Sequence, residues 1–191
     1  MLKRTPFPQH LGVTLIELMI VIVIMAVLLA LAVPAFMETI DRNRLKSVVE
    51  TMLSDLELMK LESIKRSAAI SLSIRNDNSS AGDWCYGMSE AATCDCKAAT
   101  CTIDGVSRVV SATDFKGVIM TAPTTASPTP FSFRVEQVRG QITLSTTLPD
   151  NRIRLTSTRG KELDIEVSAL GRFIICSPSG SANVTGYPTC S

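Results

Sequence analysis

Two hydrophobic patterns follow one another along the chain. From Val13 to Met37 the residues are apolar on every side, and Glu17 is the only charge among them. The twenty residues from Leu18 to Met37 carry none, enough to cross the hydrocarbon core of a bilayer as a helix. Further on, the apolar positions thin to Leu45, Val48, Val49, Met52, Leu53, Leu56 and Met59. These recur three and four residues apart, the spacing of one helix face. Arg44, Lys46, Glu50, Asp55, Glu57 and Glu62 take much of the remaining surface. The pattern predicts one helix from Val13 to about Arg66. Its 54 residues would span roughly 80 Å at 1.5 Å each. A helix lying wholly within a globule fails on that length.

After Arg66 the period changes to two. Ile70, Leu72 and Ile74 alternate with polar residues, and Asn76 to Gly82 breaks the run. Further strands are expected at Arg108–Ala112, Lys116–Thr121, Phe131–Val135, Gln141–Ser145, Arg152–Ser157, Glu162–Ser168 and Arg172–Ser177. Arg159-Gly160 and Leu170-Gly171 stand where hairpin turns belong. The stretch Ala122 to Pro130, rich in Thr and Pro, reads as a surface loop. No internal repeat and no second core are expected. The fold class is α+β: a long N-terminal membrane-spanning helix packed on an antiparallel β-sheet domain.

Composition narrows the chemistry. A chain of 191 residues and 20.6 kDa allows one ordinary domain with an appendage. Nineteen basic and eighteen acidic residues leave a net charge of +1, which speaks against a strongly basic nucleic-acid binder and against an acidic tail protein. The one histidine, His10, lies too near the start to serve a folded site, so His-based acid–base catalysis and His-ligated metals are disfavoured. There is no Gly-rich phosphate loop and no carboxylate pair in an apolar setting. The reading is that the chain is not an enzyme, with no catalytic residue and no cofactor.

Residues Met1 to Gly12 are polar, with Lys3 and Arg4 as charges and Pro6 and Pro8 discouraging a helix. Basic residues on that side keep it cytoplasmic and send the rest across the membrane. A cleavable secretory signal fits poorly, because its apolar core would be about 7–15 residues and be followed by a small-x-small cleavage site. A plain anchor is better, yet it gives no reason for Glu17. A charge inside a membrane helix costs about 2.5–3.5 kcal/mol on insertion scales.

Gly12-Val13-Thr14-Leu15-Ile16-Glu17-Leu18 resembles the class III signal of type IV prepilins and type II secretion pseudopilins. The resemblance implies a prepilin peptidase that cuts after Gly12 and methylates the new N-terminus at Val13. Phenylalanine usually stands first after the cut, and here it is Val13. Pro34 matches the proline that commonly kinks the pilin helix. Residues 1–12 would be the leader, 13–37 the membrane and assembly half of the helix, and 38–191 a periplasmic domain. In the family, the freed amine pairs with the glutamate of a neighbouring subunit, which makes Glu17 an assembly register. The α-amine has a reference pKa of about 7.7–8.0 and is mostly cationic near neutrality. Pairing removes most of the cost of burying either charge alone.

Asp55-Leu56 through Glu62-Ser63-Ile64-Lys65-Arg66, and Ser168-Ala169-Leu170-Gly171-Arg172 near the end, are similar to the GspH/FimT/FimU-type minor pilins. That implies a structural subunit in assembly, initiation or capping of a type IV pilus, with a type II secretion pseudopilin as the alternative. Its partners would be the prepilin peptidase, other major and minor pilins or pseudopilins, and inner-membrane lipid. It would be single-pass in the inner membrane. DNA is the remaining partner to weigh. DNA-binding relatives carry Gly-Arg-x-Arg, whereas this chain reads Gly171-Arg172-Phe173-Ile174. Arg152, Arg154, Arg159 and Lys161 could join Arg172 in a patch, but Asp150, Glu162, Asp164 and Glu166 offset them. Weak binding or none is expected.

Cys85, Cys94, Cys96, Cys101, Cys176 and Cys190 all follow the membrane segment, where the compartment would be oxidising. Six cysteines permit fifteen pairings, and the sequence leaves the choice open. Cys176–Cys190 would staple a tail of Ser, Gly and Pro; the other four would then close the Trp84–Cys101 loop on itself. A zinc cluster of Cys85, Cys94, Cys96 and Cys101 is the sharper alternative, though its spacing is not a standard zinc pattern.

Overall fold

The computed structural model describes residues 12–76, 83–121, 131–136, 141–144, 152–168 and 170–190. The loop expected at Ala122 to Pro130 and the break after Asn76 lie outside them. The chain forms two compact units, Met1–Thr39 and Ile40–Ser191. One helix, α1 (Leu15–Arg66), begins in the first and ends in the second. It stops without a glycine. Ser67 takes a left-handed φ of 50°, and the N–H groups of Ser67 and Ala68 donate to the carbonyls of Ile64 and Ser63. That is a Schellman closure, which satisfies carbonyls the helix would otherwise leave open.

In the second unit all named strand pairs are antiparallel. One sheet has the order β5 (Val109–Ser111), β2 (Trp84–Ser89), β1 (Ile70–Asn76), β7 (Phe131–Val135) and β8 (Ile142–Leu144). A second has the order β11 (Phe173–Cys176), β10 (Glu162–Val167), β9 (Arg152–Ser157) and β6 (Val118–Thr121). A two-stranded ribbon joins β3 (Thr102–Ile103) and β4 (Val106–Ser107). The antiparallel β-sheet domain is thus built of two sheets, and they share one core. Leu45, Val48, Val49, Met52, Leu56 and Met59 of α1 are buried there with Leu72, Ile74, Tyr86 and Phe133 of the first sheet and Ile153, Leu155, Leu163 and Ile165 of the second.

The sheets are also stitched at an edge. The outward carbonyls of Val118 and Met120 on β6 accept from Trp84 Nε1, at 2.8 Å, and from Asn76 Nδ2. Side chains of one sheet thereby close an edge of the other, and an open edge is a template for unwanted pairing.

Strand β2 falls in the segment expected to be a loop. All six of its residues are buried, so it shows no alternation. The reason is a cover on the far face of the sheet. Ser71 donates to the carbonyls of Ser89 (3.2 Å) and Ala91, and Ser73 Oγ accepts from Cys94 N–H at 3.0 Å. The loop after β2 therefore lies over β1, and it satisfies the serines it buries. Opposite Ser73 stands Gly87. A Cβ there would meet Cys101 Cβ at 2.5 Å and its Sγ at 2.6 Å, so only glycine lets the loop lie this close.

The β9–β10 turn has Gly160 at φ 74°, as its hairpin geometry requires. Beyond β11 the tail is pinned through Ser177. Its Oγ donates to the Glu162 carbonyl and accepts from Val184 N–H, and its backbone pairs with Pro188 and Cys190.

Candidate functional site

The N-terminal candidates sit on a stretch with no core of its own. From Gly12 to Thr39 every described side chain is exposed. The helix is long and apolar enough to cross a membrane. Thr14 stands just before it as an N-cap: Glu17 N–H donates to Thr14 Oγ1 at 3.3 Å, and Leu18 N–H to the Thr14 carbonyl at 3.2 Å. Thr-x-x-Glu is the sequence form of a capping box, and the threonine half of it is formed. In hydrocarbon, an unpaired helix N–H costs several kcal/mol, so this cap matters more than it would in water. Thr14 went unread as a cap in the sequence, although its spacing to Glu17 is the signal that would have found it. Pro34 lies within the bounds of α1, and its side chain is outside the described set.

Two arginine candidates lie on β9 and the third in the turn between β10 and β11. Arg152 and Arg154 lie two apart on one face of β9. Arg154 makes a bidentate pair with Asp164, Nε to Oδ1 and Nη2 to Oδ2 both at 2.9 Å, and its Nε is 3.6 Å from Glu162. Arg152 stands opposite Glu166 in the register. Arg172 is exposed at the far end of β10, where its carbonyl accepts from Ser168 N–H. The arrangement is a mixed-charge sheet face.

The six cysteines form three disulfides: Cys85–Cys96, Cys94–Cys101 and Cys176–Cys190. The first two make a small buried cluster of their own, against Val109. The zinc alternative is overturned, because all four sulfurs are consumed in bonds to one another. The C-terminal disulfide lies against the buried carboxylate of Asp164, with Cys190 Sγ 3.9 Å from Oδ2.

Charged pairs fix the loop and the helix end. Arg66 donates to Glu62 (2.7 Å), Glu90 (3.1 Å) and both oxygens of Asp104. Its guanidinium holds the Glu62 and Asp104 carboxyls below the usual carboxylate range. Tyr86 donates to Asp55 Oδ2 at 2.7 Å from inside the core, and burial followed by the Asp55 charge pushes its hydroxyl well above the usual phenol range. These groups are cross-links between the helix and the rest of the second unit.

Residues 9–33 match the prokaryotic N-terminal methylation motif, and residues 48–188 match the type II transport protein GspH. The chain belongs to the GspH family. No solved structure matches it. This GspH-family protein is a minor pilin or pseudopilin of type II secretion or type IV pili, with the α+β pilin-like arrangement of a long apolar helix and antiparallel sheets. Family members are structural subunits. The methylation motif implies processing by a prepilin peptidase and assembly with other pilins or pseudopilins. The apolar helix anchors the chain in the inner membrane ahead of its C-terminal domain.

Proposed function

We propose that this GspH-family subunit is a minor pilin of a type IV pilus, acting in assembly, initiation or capping. Cleavage after Gly12 frees and methylates Val13, residues 13–37 hold the subunit in the membrane and then in the filament, and residues 38–191 stand in the periplasm. The observation that carries the structural role is the contrast within α1. Its first half buries nothing among the described residues, while Glu17 near its start is a charge with no business in lipid unless a partner meets it. Glu17 pairs with the Val13 amine of a neighbouring subunit. Pro34 bends the helix for that packing.

The doubly stapled loop over β1 favours the pilus over the secretion machinery, since it gives the domain a rigid, specialised outer surface. The family's own description favours the other reading, a minor pseudopilin of type II secretion. DNA has no part in this proposal, because Arg154 is committed to Asp164 and Ile174 stands where the second motif arginine would be.

Coexpression with a prepilin peptidase tests the processing. Mass spectrometry of the N-terminal peptide should find methylated Val13 and no residue before it; cleavage after Ala32 or Ala35 would sink the pilin reading. A deletion strain then separates the machines. Loss of piliation and twitching with secretion intact supports the pilus, and the converse supports the pseudopilin.

A further inference from the structure

Three exposed cations from distant parts of the chain meet in the second unit: Arg44 of α1, Lys116 before β6 and Arg159 in the β9–β10 turn. The turn is bonded to the helix, where Thr158 Oγ1 donates to Asp41 Oδ1 at 2.7 Å. It is also bonded to the approach to β6, where Thr158 N–H donates to the Gly117 carbonyl at 3.2 Å. A Cβ on Gly117 would stand 3.4 Å from Thr158 Cγ2 and 3.9 Å from an Arg44 guanidinium nitrogen. Of the nearby acids, Asp41 is buried against Thr158, and Asp114 is exposed but engaged, its Oδ2 accepting from Ser111 N–H and hydroxyl.

The position in the chain gives this patch a partner. Arg44 follows Met37, the last residue of the apolar run, by seven positions, and Arg42 follows it by five. At 1.5 Å per residue that is roughly 8–10 Å along a helix. The headgroup layer extends about 5–8 Å beyond the hydrocarbon on each side. Cations just past the translocated end of a membrane helix also work against the orientation signal, so they are not there to set topology.

We propose that Arg44, Lys116 and Arg159 form a headgroup-binding face that docks the domain on anionic phospholipid of the membrane its helix crosses. Before assembly the subunit is thereby held against the bilayer, and entry into a filament has to break that contact. The inference rests on the reading that α1 spans the membrane.

Full-length protein in nanodiscs tests it, with phosphatidylcholine alone against phosphatidylcholine mixed with phosphatidylglycerol. Each cation near an anionic surface favours contact by about fivefold. Amide exchange at residues 114–117 and 158–161 should therefore slow by about fivefold or more in the anionic discs. The Arg44→Ala, Lys116→Ala, Arg159→Ala triple variant should lose that difference. Arg172→Ala, at the other end of β10, should keep it. Should the triple variant fold poorly, salt decides on the wild-type chain, because the contact must fade as the Debye length falls from about 8 Å to about 3 Å. Equal exchange in both discs, or slowing that survives high salt, overturns the proposal. So does slowing that appears only when other pilin subunits are added, which would assign the face to an acidic protein surface. Flotation of the protein with neutral vesicles reports the membrane helix by itself, so a failed anchor and a failed headgroup face are told apart.

Discussion

The two halves of α1 are one element with opposite relations to their surroundings. From Val13 to Thr39 every described side chain is exposed, including Leu18, Ile22, Leu28 and Phe36. From Leu45 to Met59 the residues on one face are fully buried against two sheets. Backbone hydrogen bonds run through both, so helix formation alone does not separate them. What separates them is where the apolar surface goes. The second half is covered by this chain's own strands. An apolar surface as large as the first half's is not left bare by a soluble monomer, so lipid or other subunits must cover it. Folding energy and assembly are therefore divided along one helix.

The largest effect should come from the charge in the uncovered half. Glu17→Ala makes that half more apolar, so membrane insertion should be unharmed and cleavage after Gly12 should persist. Incorporation into filaments should be lost, because the Val13 amine would have no partner across the contact. Shear fractions probed for the subunit measure this. Wild-type incorporation by Glu17→Ala would show that the pairing is wrong for this subunit.

The next contrast exchanges the same substitution between halves. Leu56→Ala, at a fully buried position, should destabilise the second unit by about 2–5 kcal/mol. Leu28→Ala should leave its denaturant midpoint unchanged, since Leu28 touches no core. Equal losses from the two would mean that the first half supports the fold after all.

A smaller effect is expected on the far face of the first sheet. Gly87→Ala places a methyl group against the Cys94–Cys101 disulfide, and overpacking of this kind costs about 1–3 kcal/mol. The loss should shrink in a Cys94→Ala, Cys101→Gly background, which removes both the Cβ and the Sγ that the methyl group meets. A loss of the same size in both backgrounds would point to the strand's own backbone instead.

Much of α1 was legible because its pattern has one cause at a time: continuous apolarity first, then a single buried face. Its end near Arg66 was legible too, although Ser67 rather than glycine makes the turn. Strand β2 was not. A strand buried on both faces loses its period, and Gly87 with Cys85 and Ser89 on either side reads as a loop. The alternating serines of β1 suggested a solvent-facing side, whereas the stapled loop covers them. The start of the chain carried its family resemblance openly in Gly12 to Leu18. The cap made by Thr14 was present in the spacing, while the meeting of Arg44, Lys116 and Arg159 depends on tertiary contacts through Thr158 and Gly117 that no local pattern encodes.

The smallest predicted effect concerns the tail's hold on the covered half of α1. Tyr187 donates to Glu50 Oε1 at 2.9 Å, and Lys46 Nζ lies 5.4 Å from its ring centroid. Burial first, and then the bond to Glu50, push its phenol up to about 12, against about 10 in an unfolded chain. A raised phenol pKa means that the folded state favours the neutral form. Its contribution is therefore complete below about pH 10 and is lost as pH rises from there through about 12. The chain has two tyrosines, and Tyr86 is pushed higher still, so Tyr187 should be the first to ionise while the protein is folded. Tyrosinate absorbance followed alongside unfolding should show that step. Tyr187→Phe should remove it and cost only about 0.5–1.5 kcal/mol near neutrality, because Ser177 and the Cys176–Cys190 disulfide still hold the tail. Glu17→Ala should leave the step where it was, as befits a residue in the uncovered half. An alkaline step that survives in Tyr187→Phe would assign it to another group and leave the tail held by its disulfide and Ser177 alone.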